Sequence, residues 1–424
     1  MASNLKAIFK PTNKDIRKKI YFTILLLTIF KIGTTIRVPN TPEIGDLGFL
    51  ELLNLMNGGA LANFSIFALG VMPFITASII ITLAQKDVIP YLKELSKQGQ
   101  VGRQKLAQIT RYLGILFAFV QGYMMATAFI GDEVTRLDRL EVAFILTAGT
   151  AFLIWLGDRV TFKGIGNGIS MIIMAGIISS LPTMLSTVYT YLMDTSSVQA
   201  MALSIVQVAL FILLYFGIVV GVVFMERAQR RVPIQHSNKT SAAYSKSNAH
   251  LPFKINSASV MPVILASMIM AVPMVIAQFA DSERVNYIVS NYFMYTTLVG
   301  FLIYMVLIIF FAFFWTFMMQ NPKELSKNLS KNASFIPGVR PGADTKKFII
   351  DVLAHLTFIG AMFLVILSAI PIFFNTITGL PENVILGGTG LLIVVGVALE
   401  TYRQLESSLV SRNYQGGTRR RRNR

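Results

Sequence analysis

The stretch Ser65–Leu83, SIFALGVMPFITASIIITL, decides the fold of this chain. It is long enough and apolar enough to cross a bilayer, for which about 20 residues suffice. Yet Gly70 and Pro73 break its helix near the start, and Thr76, Ser78 and Thr82 dot its length. Helix breakers at membrane depth persist only where the loosened backbone is packed in protein or lines a wet cavity. The stretch therefore predicts a protein with an interior path, a channel or a transporter.

The rest of the chain has the composition such a protein needs. Over 424 residues, 54% are hydrophobic and 14% charged, and apolar runs recur along the sequence, as in a polytopic membrane protein. Cys is absent, which excludes disulfides and Cys-based metal sites or nucleophiles. His236, His250 and His355 are scattered without ligand spacing. The net charge of +17 is large for so apolar a chain, and its placement is informative.

Lys6, Lys10, Lys14, Arg17, Lys18 and Lys19 precede an apolar run that begins at Tyr21 and ends at Arg37-Val38-Pro39. With no small-x-small cleavage site after it, the run reads as an uncleaved first span with its N-terminus in the cytosol. Ten spans follow from the hydropathy: 21–38, 65–83, 112–130, 140–156, 169–191, 201–225, 257–279, 296–319, 348–374 and 384–398. On that count, 33 of the 38 Lys and Arg residues fall in the segments assigned to the cytosol. Only Lys31, Arg37, Arg136, Arg139 and Arg284 remain for the other side. This asymmetry satisfies the positive-inside rule and supports both the count and the orientation, because one missed span would scramble it.

The fold class expected is an all-α polytopic membrane protein with ten transmembrane helices. Five plus five permits two inverted halves, 1–195 and 196–402, before a basic cytosolic tail, 403–424. Between the first two spans, Phe49–Met56 is amphipathic but too short to span. It reads either as an interfacial or re-entrant helix or as a plug folded back into a pore. Two long basic loops, 226–256 and 320–347, exceed what topology requires, and FIPGVRPG at 335–342 is stiffened by Pro and Gly. They suit the docking of a large partner or contact with anionic lipid. Arg419–Arg422 reads as a disordered end touching lipid or RNA.

Catalytic and coupling chemistry is missing from the pattern. Lys31, Glu141, Asp351 and Glu400 lie toward span ends, so no midplane set for proton or sodium coupling is visible. No nucleotide-binding, zinc-protease or nucleophile motif occurs, and no cofactor is called for. Gly164-Ile-Gly-Asn-Gly168 lacks the strand of a phosphate cradle and reads as a tight turn before the fifth span. The chain is expected not to be an enzyme.

Several motifs, in order, resemble the SecY family along nearly the whole chain: SIFALGVMPFITASI at 65–79, LGDRVTFKGIGNGISMII at 156–173, ERAQRR at 226–231, LPFKINSASVMPVI at 251–264, NPKELSKNLSKNASFIPGVRPG at 321–342 and GGTGLLIVVGVALE at 387–400. The resemblance looks bacterial. It implies two five-helix halves around a central pore in the plasma membrane, passing unfolded polypeptides outward and releasing transmembrane helices sideways into lipid. It places an aliphatic pore ring on Val71, Ile75, Ile169, Ile173, Ile264 and Ile393. It makes the segment about 45–60 a plug, carried by Phe49, Leu50, Leu52, Leu53 and Met56. A lateral gate falls near Thr76 and Val272, and docking surfaces fall at Arg230, Arg231 and Arg340. The partners implied are SecE-like and SecG-like small subunits, the SecA motor ATPase, the ribosome, unfolded precursors with their signal peptides, and anionic lipids. Two alternatives stand beside it: an accessory paralogue for a restricted set of exported glycoproteins, and a small-molecule secondary transporter.

Overall fold

The computed structural model describes residues 14–39, 41, 51–130, 135–193, 197–236, 250–280, 282–294, 297–378 and 387–422. The chain divides into two compact units, Met1–Thr190 with Ile393–Arg424, and Tyr191–Leu392.

The first unit begins with α1 (Lys14–Gly33), followed by the short α2 (Glu51–Met56) and by α3 (Met72–Leu83). A π-helical turn, Ala84–Val88, leads into α4 (Pro90–Lys97), and then come α5 (Gly99–Phe129), α6 (Arg136–Lys163) and α7 (Gly168–Leu192). Thr135 starts α6 with a capping box, its hydroxyl accepting from the Asp138 amide while the Asp138 carboxylate accepts from the Thr135 amide. Small residues line the inner face of α5: Gly114, Ala118, Gly122 and Ala126 are buried four apart. This spacing keeps one face of the helix thin enough for α3 and α6 to pack closely. The apolar core of this region joins Leu61, Phe64, Ala68 and Leu69 to Ala118, Ala126, Val142 and Leu146.

The second unit opens with α8 (Val198–Arg227), whose end passes directly into β1 (Gln229–Pro233) and β2 (Gln235–His236). β3 (His250–Lys254) precedes α9 (Met261–Ala280), α10 (Glu283–Tyr292), α11 (Leu298–Met319) and α12 (Pro322–Lys331). β4 (Ser334–Phe335) and α13 (Ala343–Thr378) complete it. The last helix, α14 (Gly387–Arg422), groups with the first unit from Ile393 onward.

Each of the ten expected spans coincides with a helix. Among the described residues, six helices are by themselves long and apolar enough to cross a membrane. The opening stretch behaves differently from an ordinary span. Residues 66–71 form turns, the helix starts only at Met72, and its 12 residues cover about 18 Å at 1.5 Å each. Beyond it the chain bends through 91° into α4. The expected disorder of the tail does not hold: α14 continues through Arg422 without a break. Its first turns beyond the apolar run are anchored, with Thr401 Oγ1 at 3.5 Å from Met171 Sδ and Gln404 Oε1 accepting from the Gly166 amide at 3.1 Å.

Candidate functional site

The turns at the start of the decisive stretch exist to hold another segment. Gly70 has φ +57°, a left-handed conformation that favours glycine, and a Cβ there would overlap the Asn57 side chain. Asn57 is buried, and its amide donates to the Ala68 carbonyl at 2.9 Å. One residue beyond Gly70 stands Val71, whose carbonyl accepts from the Ile75 amide at 3.1 Å as the helix begins. Asn57 follows directly on α2, so the break in the stretch is the socket for the end of the proposed plug helix.

The other wall of the socket is α7. A Cβ on Gly176 would overlap the Met56 carbonyl, so only glycine allows this approach. The Ser180 hydroxyl reaches the Leu55 carbonyl at 3.5 Å. Asn54 Oδ1 accepts from the Ala62 amide at 3.0 Å, and the Gly59 amide donates to the Asn54 carbonyl at 2.9 Å. Lys31, in the last turn of α1, donates to the Gly58 carbonyl at 3.1 Å. The segment is thus tied to three elements within the first unit. Met56 is buried at 2% exposure. Leu52 and Leu53 lie on α2, while Phe49 and Leu50 lie outside the described residues.

Of the aliphatic residues expected at a pore ring, Val71, Ile75, Ile173, Ile264 and Ile393 are buried, and Ile169 is half-buried. Val71 directly follows Gly70 of the Asn57 socket, Ile75 lies one turn further along α3, and Ile173 lies three residues before Gly176 on α7. The plug contacts therefore share their elements with four of the six. Ile169 packs its Cδ1 close to Gly157 of α6. Ile264 belongs to the second unit, as does Val272, which is 54% exposed on α9. Thr76 belongs to the first unit, is half-buried, and donates to the Met72 carbonyl of its own helix at 3.1 Å.

The glycine-rich turn before α7 has its amides engaged. Ile165 donates to Thr23 Oγ1 at 3.1 Å, Gly166 to Gln404 Oε1, and Gly168 to Thr161 Oγ1 at 2.8 Å. These donors are directed at side chains of the chain itself, as expected of a structural turn. Among the described residues no group of three or more metal-ligating side chains occurs.

In the second unit the two basic loops form one module. β1 pairs antiparallel with β3, placing Arg230 opposite Phe253 and Arg231 opposite Pro252, while β2 pairs with β4 from the other loop. Beneath them, Val232, Phe253 and Ile336 share an apolar core with Ile349, Val352, Leu353 and Leu356 of α13. At its base Asn256 donates to buried Glu226 at 2.9 Å. Arg230, Arg231 and Arg340 are all exposed above this core. The backbone, not the side chain, of Arg340 braces its turn: its carbonyl accepts from both the amide and the hydroxyl of Thr345, at 3.2 and 2.8 Å. The small sheets and the plug contacts were not evident in the sequence. The alternation in HLPFK was the one available signal for the strands, and Asn57 beside Gly58-Gly59 the one for the socket.

Comparison with known proteins gives a consistent result. The family profile described as SecY matches residues 65–402. The protein translocase subunit SecY of Bacillus subtilis (strain 168) is 46% identical over 416 residues, covering 95% of this chain and 96% of the relative. The protein of the same description from Staphylococcus epidermidis is 43% identical over 424 residues, covering 96% and 97%. Among solved structures, one described as that of a protein conducting channel superposes with a TM-score of 0.63 at 20% identity, covering 93% of both chains. Sec61 from a canine ribosome-channel complex superposes at 0.58, with 93% coverage of both. The chain is a member of the SecY family.

Proposed function

We infer that the chain is the pore subunit of a bacterial protein translocase, a passive conduit that passes unfolded secretory polypeptides across the plasma membrane and releases transmembrane helices sideways into lipid. The observation that carries this reading is family membership over 95% of the chain, shared with relatives described as translocase subunits. The packed socket around Asn57 and Met56 is what a resting channel with its plug seated requires.

In this reading the chain forms two inverted halves, 1–195 and 196–402, with both termini in the cytosol. Val71, Ile75, Ile169, Ile173, Ile264 and Ile393 line the constriction, where branched apolar side chains close around a passing chain and resist water by dewetting. Phe49, Leu50, Leu52, Leu53 and Met56 belong to the plug. Thr76 and Val272 border the lateral gate. The basic module presents Arg230 and Arg231 to ribosomal RNA phosphates and Arg340 to the SecA motor, since a guanidinium pairs bidentately with carboxylate or phosphate. SecE-like and SecG-like subunits and anionic lipids complete the assembly. In this reading energy comes from these partners.

The test is depletion of the protein in its host. Secreted precursors are expected to accumulate uncleaved on the cytosolic side within a few generations. Normal processing of precursors in depleted cells would overturn the reading.

A further inference from the structure

Lys31 is one of five Lys and Arg residues that the span assignment leaves on the sparsely charged side, and the plug reading alone gives it no task. It stands exposed in the last turn of an apolar helix, KDIRKKIYFTILLLTIFKIG, where a lysine could simply reach outward to the interface. Its partner is specific: Nζ donates to the Gly58 carbonyl at 3.1 Å, across 27 positions of sequence.

Gly58 is the point at which the plug segment turns back. Its φ of +69° ends the helical run, its amide donates to the Leu55 carbonyl at 3.1 Å, and a Cβ on it would lie 3.2 Å from Gly176 of α7. Carbonyls at the end of a helical run lack intrahelical donors and favour a nearby cation. Two other contacts, Asn57 to Ala68 and Ser180 to Leu55, tie the segment to elements that also carry proposed ring residues. Lys31 adds a tie to α1, through a charge-assisted bond of the stronger class.

We propose that Lys31 is the latch of the plug, a positioning residue whose ammonium holds the Gly58 carbonyl in the closed channel and releases it before the plug leaves. This rests on the plug reading above. Loss of one charge-assisted bond shifts the closed–open balance about tenfold, the factor that corresponds to ~1.4 kcal/mol.

The experiment uses the purified translocase in liposomes, with the wild type, Lys31→Met and Lys31→Arg side by side. Lys31→Met keeps the apolar stem and removes the ammonium, and Lys31→Arg keeps a cation. Ion leak through the idle channel, and transport of precursors with weakened signal sequences, are expected to rise about tenfold in Lys31→Met. Both are expected to return near wild type in Lys31→Arg. Transport of precursors with strong signals should be unchanged in both. Wild-type leak in Lys31→Met overturns the latch, and so does an equal rise in Lys31→Met and Lys31→Arg, which would make stem packing the cause. If Lys31→Met does not accumulate, Lys31→Gln tests the same loss of charge, and failure of both to accumulate overturns the latch in favour of a folding role. A wild-type channel that transports no precursor would instead overturn the functional reading, whatever the variants leak.

Discussion

The socket around Asn57 in the first unit, proposed to seat a plug, and the basic module of the second are built in opposite ways. The socket is made of glycines, two asparagines and backbone carbonyls, with Met56 at 2% exposure and Asn57 buried. Its contacts are close approaches of backbone and small polar groups. The module hides its cohesion in an apolar core beneath Val232 and Ile336 and leaves Arg230, Arg231 and Arg340 exposed. Its surface can change without disturbing its frame. The first region is held by close backbone fit, whereas the second is held by a core that lies beneath its exposed cations.

Charge reversal on the module should give the largest effect. Arg340→Glu is expected to abolish SecA-driven export in liposomes supplied with motor and ATP, because attraction becomes repulsion at the contact. The fold should be unaffected, since the turn is held by the Arg340 carbonyl and Thr345 rather than by the guanidinium. Normal transport by a stable Arg340→Glu channel would remove this residue from the motor surface and weaken the contrast between the two regions.

Gly70→Ala attacks the opposite region. The methyl group must enter the volume of the Asn57 side chain at a backbone φ of +57°, where a non-glycine residue costs about 1–2 kcal/mol before any overlap. The expected outcome is an idle channel that leaks ions and accepts poor signal sequences, with SecA binding unchanged. If motor binding fell in parallel with the seal, the two regions would not be separable in the way described.

The smallest effect is expected from Ile393→Asn or Ile75→Asn. Each puts one polar amide among buried aliphatic side chains, lowering the cost of wetting without disturbing the socket contacts. A severalfold rise in weak-signal export, smaller than that of Gly70→Ala, is the result to look for. Unchanged selectivity and leak in both variants would take these residues out of the constriction.

Spans and family were legible because they are encoded locally. Hydropathy over about 20 residues locates a helix, and the Lys/Arg bias orients it, without knowledge of any contact. The exposed turn at Arg340 was legible because Pro337-Gly338 and Pro341-Gly342 frame it. The socket was illegible because its partners are distant: Asn57 with Ala68 and Gly70, Met56 with Gly176, Lys31 with Gly58. The same holds for the pairing of Gln235 with Phe335, one hundred positions apart. Gly70 and Pro73 were correctly seen as breakers in a span, but what the break accommodates emerges only from the fold. The tail misled because its run of Arg suggested solvent and concealed the anchoring of Gln404.

The grouping of Ile393–Arg424 with Met1–Thr190 bears on the order of assembly. The chain must make residues 191–392 in between, and at ~5–20 residues per second this takes roughly 10–40 s. During that interval the amide of Gly166 lacks Gln404, and the turn before α7 is without its partner helix. A nascent first unit is therefore an unfinished body with a waiting polar edge, open to quality control. Truncation before Gln404 would leave every copy at that stage.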